Sequence, residues 1–185
     1  MTWRLAGSLP VAKTTDFWTS DGPKFVEFDR LLDAVSMGPR WLERAEIANI
    51  VVNSLRNGER ESRYALGAWV VMPNHVHAAL QPLSDHDLAS SVRMIKGRSA
   101  REANCLINKA GSQFWAKDYF DRRIRDRDHE ERVTRYIQNN PVKAGLCGSV
   151  GEWPWSSAYI PVGAASAAPA FKTTRLKSRL PNTYS

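Results

Sequence analysis

The chain has 185 residues, enough for one domain with its own hydrophobic core. Apolar residues make up 43% and charged residues 24%, an ordinary globular balance, and no run approaches the ~18 apolar residues of a membrane helix. The start, MTWRLAGSLP, has no charged segment followed by an apolar run, so no signal peptide is expected. Cys105 and Cys147 stand far apart in no metal spacing, which predicts two free thiols in a reducing cytoplasm. The net charge of +7 and a pI near 9.7 suit a polyanionic partner without requiring one.

In chain order, Thr2 to Leu5 predicts a short strand and Ser20 to Pro23 a turn. Phe25, Phe28, Leu31, Leu32 and Val35 recur at helical spacing and predict a helix from Lys24 to Val35, broken by Gly38-Pro39. Ile47, Ile50, Val51 and Leu55 mark a second helix over Glu43 to Arg56, with Asn57-Gly58 as its stop. Tyr64 to Pro73 and the segment from His75 read as two strands joined through a turn at Pro73-Asn74. Asp85 or Asp87 can cap a long helix carrying Leu88, Val92, Ile95 and Leu106. A short strand is expected at Gln113 to Trp115. Asp126 or Asp128 starts a last helix, expected to end near Asn140 because Pro141 disfavours helical geometry in the residue before it.

After Trp155 the composition turns to Ala, Ser, Pro and basic residues. The expected organisation is one domain over residues 1–159 and a basic, loosely held tail over 160–185. Strands and helices are mixed and the clear strand pair is a hairpin, so the fold class is α+β with an antiparallel sheet.

Basic residues cluster. Arg93 to Arg127 holds ten Lys or Arg against four Asp or Glu, interleaved with Phe114, Trp115, Tyr119 and Phe120. That mixture suits a surface that stacks unpaired bases and neutralises phosphates, and equally a solvated helix beside core aromatics.

His75 and His77 carry the sharpest local signal. In a strand, residues two apart share a face, so the imidazoles lie side by side while Val76 points to the other face. Two neutral imidazoles are natural metal ligands, although a His-x-His pair in a strand is also common as plain polarity. Tyr136 and Asn140 lie one turn apart on the last helix, with Val133 and Ile137 in the same wedge, so their face looks toward the sheet. The same pattern fits a core-edge aromatic and an ordinary helix-end amide.

Four blocks in order, WVVMPNHVHAAL (69–80), FWAKDYFDRRIRD (114–126), RYIQNNPVKAG (135–145) and WPWSSA (153–158), resemble the REP-associated tyrosine transposases of the single-tyrosine HUH superfamily of bacterial insertion sequences. The opening TWRLAGSLP is similar to that family's start. The resemblance implies a ferredoxin-like antiparallel sheet flanked by helices, with the histidines on a central strand. It implies Tyr136 as nucleophile, and His75, His77 and Asn140 as ligands of a divalent ion, Mg²⁺ or Mn²⁺. It also implies a single-stranded or hairpin-forming DNA substrate, cut and rejoined through a 5′-phosphotyrosine. Lys96, Arg98, Arg122, Arg123 and Arg125 are the candidate phosphate contacts. A cytoplasmic location is expected, and a homodimer with Tyr136 acting in trans is compatible with the superfamily.

Two departures stand out. The family has residues ahead of TWRL that complete the first strand, and the stretch from Thr14 to Arg40 is shorter than usual. Tyr119 is a poor rival nucleophile, because its neighbour one turn on would be Arg123. Two other functions compete: a domesticated repeat-binding protein without cleavage, and a zinc hydrolase built on the two histidines. The second lacks a third His or carboxylate at ligand spacing, since His86 and His129 have no such relation to the pair.

Overall fold

Among the described residues, three strands form one antiparallel sheet in the order β1-β3-β2: β1 (Thr2–Arg4), β2 (Tyr64–Val71) and β3 (His75–Pro82). The computed structural model describes residues 1–9, 30–32, 38–83 and 85–161. The expected turn at Ser20 to Pro23, most of the helix at Lys24 to Val35 and nearly all of the basic tail lie outside these residues. Residues 30–32 are helical.

The β2–β3 hairpin turns at Pro73-Asn74, as the sequence predicts, and its register is interrupted once, between Leu66 and Trp69. Both sheet edges gain further antiparallel bridges. On the β1 side, Thr2 bridges Phe120 and Leu5 bridges Trp115, and on the β2 side Val70 bridges Ser156. Counting the 115–120 segment, the spatial order becomes 4-1-3-2, the ferredoxin-like arrangement. The strand expected at Gln113 to Trp115 therefore exists as edge bridges centred slightly later.

Among the described residues, three longer helices cover the sheet: α1 (Ala45–Arg60), α2 (Leu88–Leu106) and α3 (Arg127–Lys143), with a 3-10 turn at Trp41–Glu43. The pleat sorts side chains between two faces. Trp3, Leu5, Trp69, Val71, Val76 and Ala78 pack with Ile47, Val51 and Leu55 of α1 and Ile95 of α2 in the larger core. Each such Val, Leu or Ile side chain contributes about 1.5–3 kcal/mol by leaving water. Ala68, Val70 and Met72 meet Ile137, Val133 and Tyr136 of α3 on the opposite face.

Two helix ends differ from the sequence expectation. Asn57-Gly58 does not stop α1, which runs on to Arg60 and ends where Ser62 takes a φ of 56°. Gly58 serves packing instead: a Cβ there would collide with the Tyr64 hydroxyl, which donates to the Leu55 carbonyl at 2.7 Å. Pro141 does not end α3 either, which continues to Lys143. Proline costs a helix one hydrogen bond and strains the residue before it. Here Ile137, Asn140 and Pro141 are all buried, and sheet packing outweighs that local cost. The other two starts follow the sequence, with Asp87 capping α2 through Ser90 and Asp126 capping α3 through His129.

Candidate active site

β3 is the central strand, and its register decides what surrounds the histidines. His77 faces Thr2 on one side and Val70 on the other, and His75 faces Arg4. Because Val76 is fully buried in the opposite core, both imidazoles point to the α3 side. They are themselves buried, at 0% and 1% exposure.

Each ring is held at its Nδ1 atom. His75 Nδ1 lies 2.6 Å from Asn74 Oδ1, and His77 Nδ1 lies 2.7 Å from Thr2 Oγ1. The two Nε2 atoms face one another at 3.0 Å, with the rings nearly perpendicular. Two imidazole nitrogens this close together could both reach one divalent cation, so the pair is chemically suited to hold one. Among the described residues, no group of three or more His, Cys, Asp and Glu side chains gathers for a metal. Any further ligand would come from an amide, a phenol, substrate or water.

α3 brings the other two predicted residues to this face. The Tyr136 ring meets His77 edge-on, with centroids 6.1 Å apart. Asn140, one turn later, is 1% exposed and lies within the helix, which runs on to Lys143. Lys143 places its ammonium 4.5 Å from the Tyr136 ring centre. Sequence reasoning missed Lys143, Arg4, Thr2 and Asn74. Asn74 is adjacent to His75 in the chain, but Thr2 and Arg4 become neighbours only through strand register.

The basic candidates separate into two groups. Lys96 donates to three consecutive carbonyls, those of Ala116 at 2.7 Å, Lys117 at 2.9 Å and Asp118 at 3.4 Å. It thereby ties α2 to the edge segment, where Trp115 to Phe120 spans five steps against three from Thr2 to Leu5. Burial pulls its ammonium below the usual lysine range, with Asp118 opposing. Burial likewise lowers Arg4, again opposed by Asp118. Arg98 forms a forked pair with Glu61, at 2.5 Å and 3.1 Å. Arg122, Arg123 and Arg125, by contrast, are exposed on the connector leading into α3. Tyr119 packs at the edge of the larger core, across the sheet from the histidines.

No described helix is long and apolar enough to cross a membrane. Known proteins resemble the chain as follows. It is 32% identical over 100 residues to the REP-associated tyrosine transposase of Escherichia coli strain K12. That match takes in 54% of this chain and 57% of the relative, so the chain corresponds to little more than half of the relative's length. A solved structure described as a REP-associated tyrosine transposase bound to a REP hairpin superposes with a TM-score of 0.54. It covers 84% of this chain and 72% of the other at 20% identity, a likeness that carries the fold. The family model described as "Transposase IS200 like" matches residues 40–140, which include the hairpin, both histidines, Tyr136 and Asn140. On this match over more than half of its length, the chain belongs to the IS200-like transposase family.

Proposed function

We propose that the chain is a metal-dependent transposase or endonuclease for single-stranded DNA, cutting and rejoining strands at hairpin-forming repeats. The observation that carries this reading is the convergence of Tyr136, from α3, on His77 of a buried histidine pair. Family membership and the likeness to a protein solved with a REP hairpin support the substrate class.

His75, His77 and Asn140 would hold the ion, Mg²⁺ or Mn²⁺, which when bound supplies charge neutralisation at the scissile phosphate. Magnesium prefers oxygen, so two imidazoles favour manganese in the test tube. Tyr136 is the nucleophile. Its Oη forms a bond to phosphorus as the P–O3′ bond breaks, the phenol proton passes to solvent, and the departing oxygen takes up a proton to become a 3′-hydroxyl. The 5′-phosphotyrosine retains the phosphodiester linkage energy, so another 3′-hydroxyl reverses the step and joins strands. No nucleotide cofactor is required. Because the His77–Tyr136 contact lies within one chain, the reading needs no second subunit to supply the phenol.

Arg122, Arg123 and Arg125 are the better placed DNA contacts, being exposed beside the start of α3. Lys96 and Arg98 would reach a phosphate only by giving up their carbonyl and carboxylate partners.

The test is a labelled single strand bearing a hairpin, incubated with the protein and Mn²⁺ and run on a denaturing gel. A covalent adduct that disappears in Tyr136→Phe is the expected result. An adduct that survives in Tyr136→Phe overturns the assignment. DNA retention without any adduct favours the repeat-binding alternative.

A further inference from the structure

The two Nδ1 partners of the histidine pair are chemically unlike, and that difference sets the tautomer of each ring. Asn74 Nδ2 donates to the Leu32 carbonyl at 2.9 Å, which orients the amide and turns Oδ1 toward His75. An amide oxygen only accepts, so the His75 proton sits on Nδ1 and the lone pair on Nε2. The Nε2–Nε2 contact of 3.0 Å then needs its hydrogen from His77. With its proton on Nε2, His77 presents a lone pair at Nδ1, and the Thr2 hydroxyl donates to it across 2.7 Å.

For both Nε2 atoms to ligate one ion, His77 must carry its proton on Nδ1 instead. A hydroxyl both donates and accepts, so Thr2 can turn its hydrogen away and receive that proton's hydrogen bond. Thr2 and Asn74 are 1% and 3% exposed, so water does not readily replace either partner.

The geometry assigns two positioning residues to the proposed metal site: Asn74, which fixes His75 permanently as an Nε2 ligand, and Thr2, whose hydroxyl lets His77 exchange between bonding His75 and binding a cation. This rests on the reading of the histidine pair as metal ligands. Neither residue touches the reacting atoms. Partners of this kind typically change metal affinity 10–100-fold when removed.

Nitrogen-15 NMR of the imidazoles in the full chain tests the assignment without any substitution. The metal-free protein should show His75 protonated at Nδ1 and His77 at Nε2, and Zn²⁺, which is diamagnetic, should move the His77 proton to Nδ1. Calorimetric titration with Mn²⁺ supplies the second readout. Thr2→Val and Asn74→Leu should weaken binding by at least tenfold, whereas Thr2→Ser should stay within about threefold of the parent. Circular dichroism confirms that each variant is folded. His77 already protonated at Nδ1 without metal, or Thr2→Val binding Mn²⁺ like the parent, overturns the positioning role and leaves the metal site intact. A parent chain that binds no Mn²⁺ overturns the metal site and this assignment together.

Discussion

The Tyr136 ring stands edge-on to His77 at a centroid distance of 6.1 Å, joining a residue of α3 to the central strand. Removing the hydroxyl leaves that packing in place. Tyr136→Phe should therefore stay folded, with a melting temperature within about 4 °C of the parent, while forming no adduct. His77→Ala should lower adduct formation at least about a hundredfold, since a metal's charge stabilisation amounts to several kcal/mol. Thermal melts and gel quantification with Mn²⁺ check both outcomes.

Chelation should act on stability as well as on activity. A ligand that binds only the folded state stabilises it by about 2.7 kcal/mol at a concentration 100 times its Kd. Adding EDTA should abolish the adduct and lower the melting temperature. Excess Mn²⁺ should restore both in the parent chain, and neither in a His75→Ala, His77→Ala double variant.

The connector arginines should be read through salt. On a single strand, each phosphate that the protein no longer neutralises reduces the slope of log K against log salt by about 0.7. Replacing Arg122, Arg123 and Arg125 with alanine should flatten that slope by up to about 2. The fold should be unchanged, because all three are exposed. Binding isotherms across a salt series decide it. An unchanged slope places the DNA elsewhere.

Gly58 provides a test of the larger core. Any β-carbon there meets the Tyr64 ring, with its hydroxyl, Cε1 and Cζ all within 2.6 Å. Overfilling a packed site costs about 1–3 kcal/mol. Gly58→Ala should lose that much in urea denaturation despite alanine's better helix propensity. At an exposed helical position the same change would stabilise.

Glu61 gives a small acid-dependent term. Arg98 and Arg63 hold its carboxyl below the ordinary glutamate range. A lowered folded-state value means the stabilisation is fully present above the unfolded value, near 4.5, and is lost as pH falls through the folded one. The pair is exposed and screened, so the term stays below about 1 kcal/mol. Glu61→Gln should remove that much at neutral pH and nothing once the pH is below the folded value, as followed by denaturant titration.

Local chemistry made much of the molecule legible from sequence. Alternation set the hairpin and put both imidazoles on one face with Val76 on the other, because a pleated strand has a period of two. Asp87 and Asp126 marked two helix starts, since a short acceptor before an amphipathic run satisfies exposed amides. The family blocks were legible because they follow one another in a fixed order that the family match over residues 40–140 shares. The stop signals at Asn57-Gly58 and Asn140-Pro141 misled for one reason. Each is a weak local preference, and burial against Tyr64 in one case and against the sheet in the other is worth more than it costs.

By itself, then, the sequence determined the secondary structure around the histidines, the α+β class and the family. Only the tertiary structure decided that Thr2 lies against His77, that Arg4 stands opposite His75, and that Lys96 is spent on the 116–118 carbonyls. Those relationships join positions 20 to 75 residues apart in the chain. Strand register and helix docking fix such pairs, and neither is encoded in the spacing of neighbouring residues.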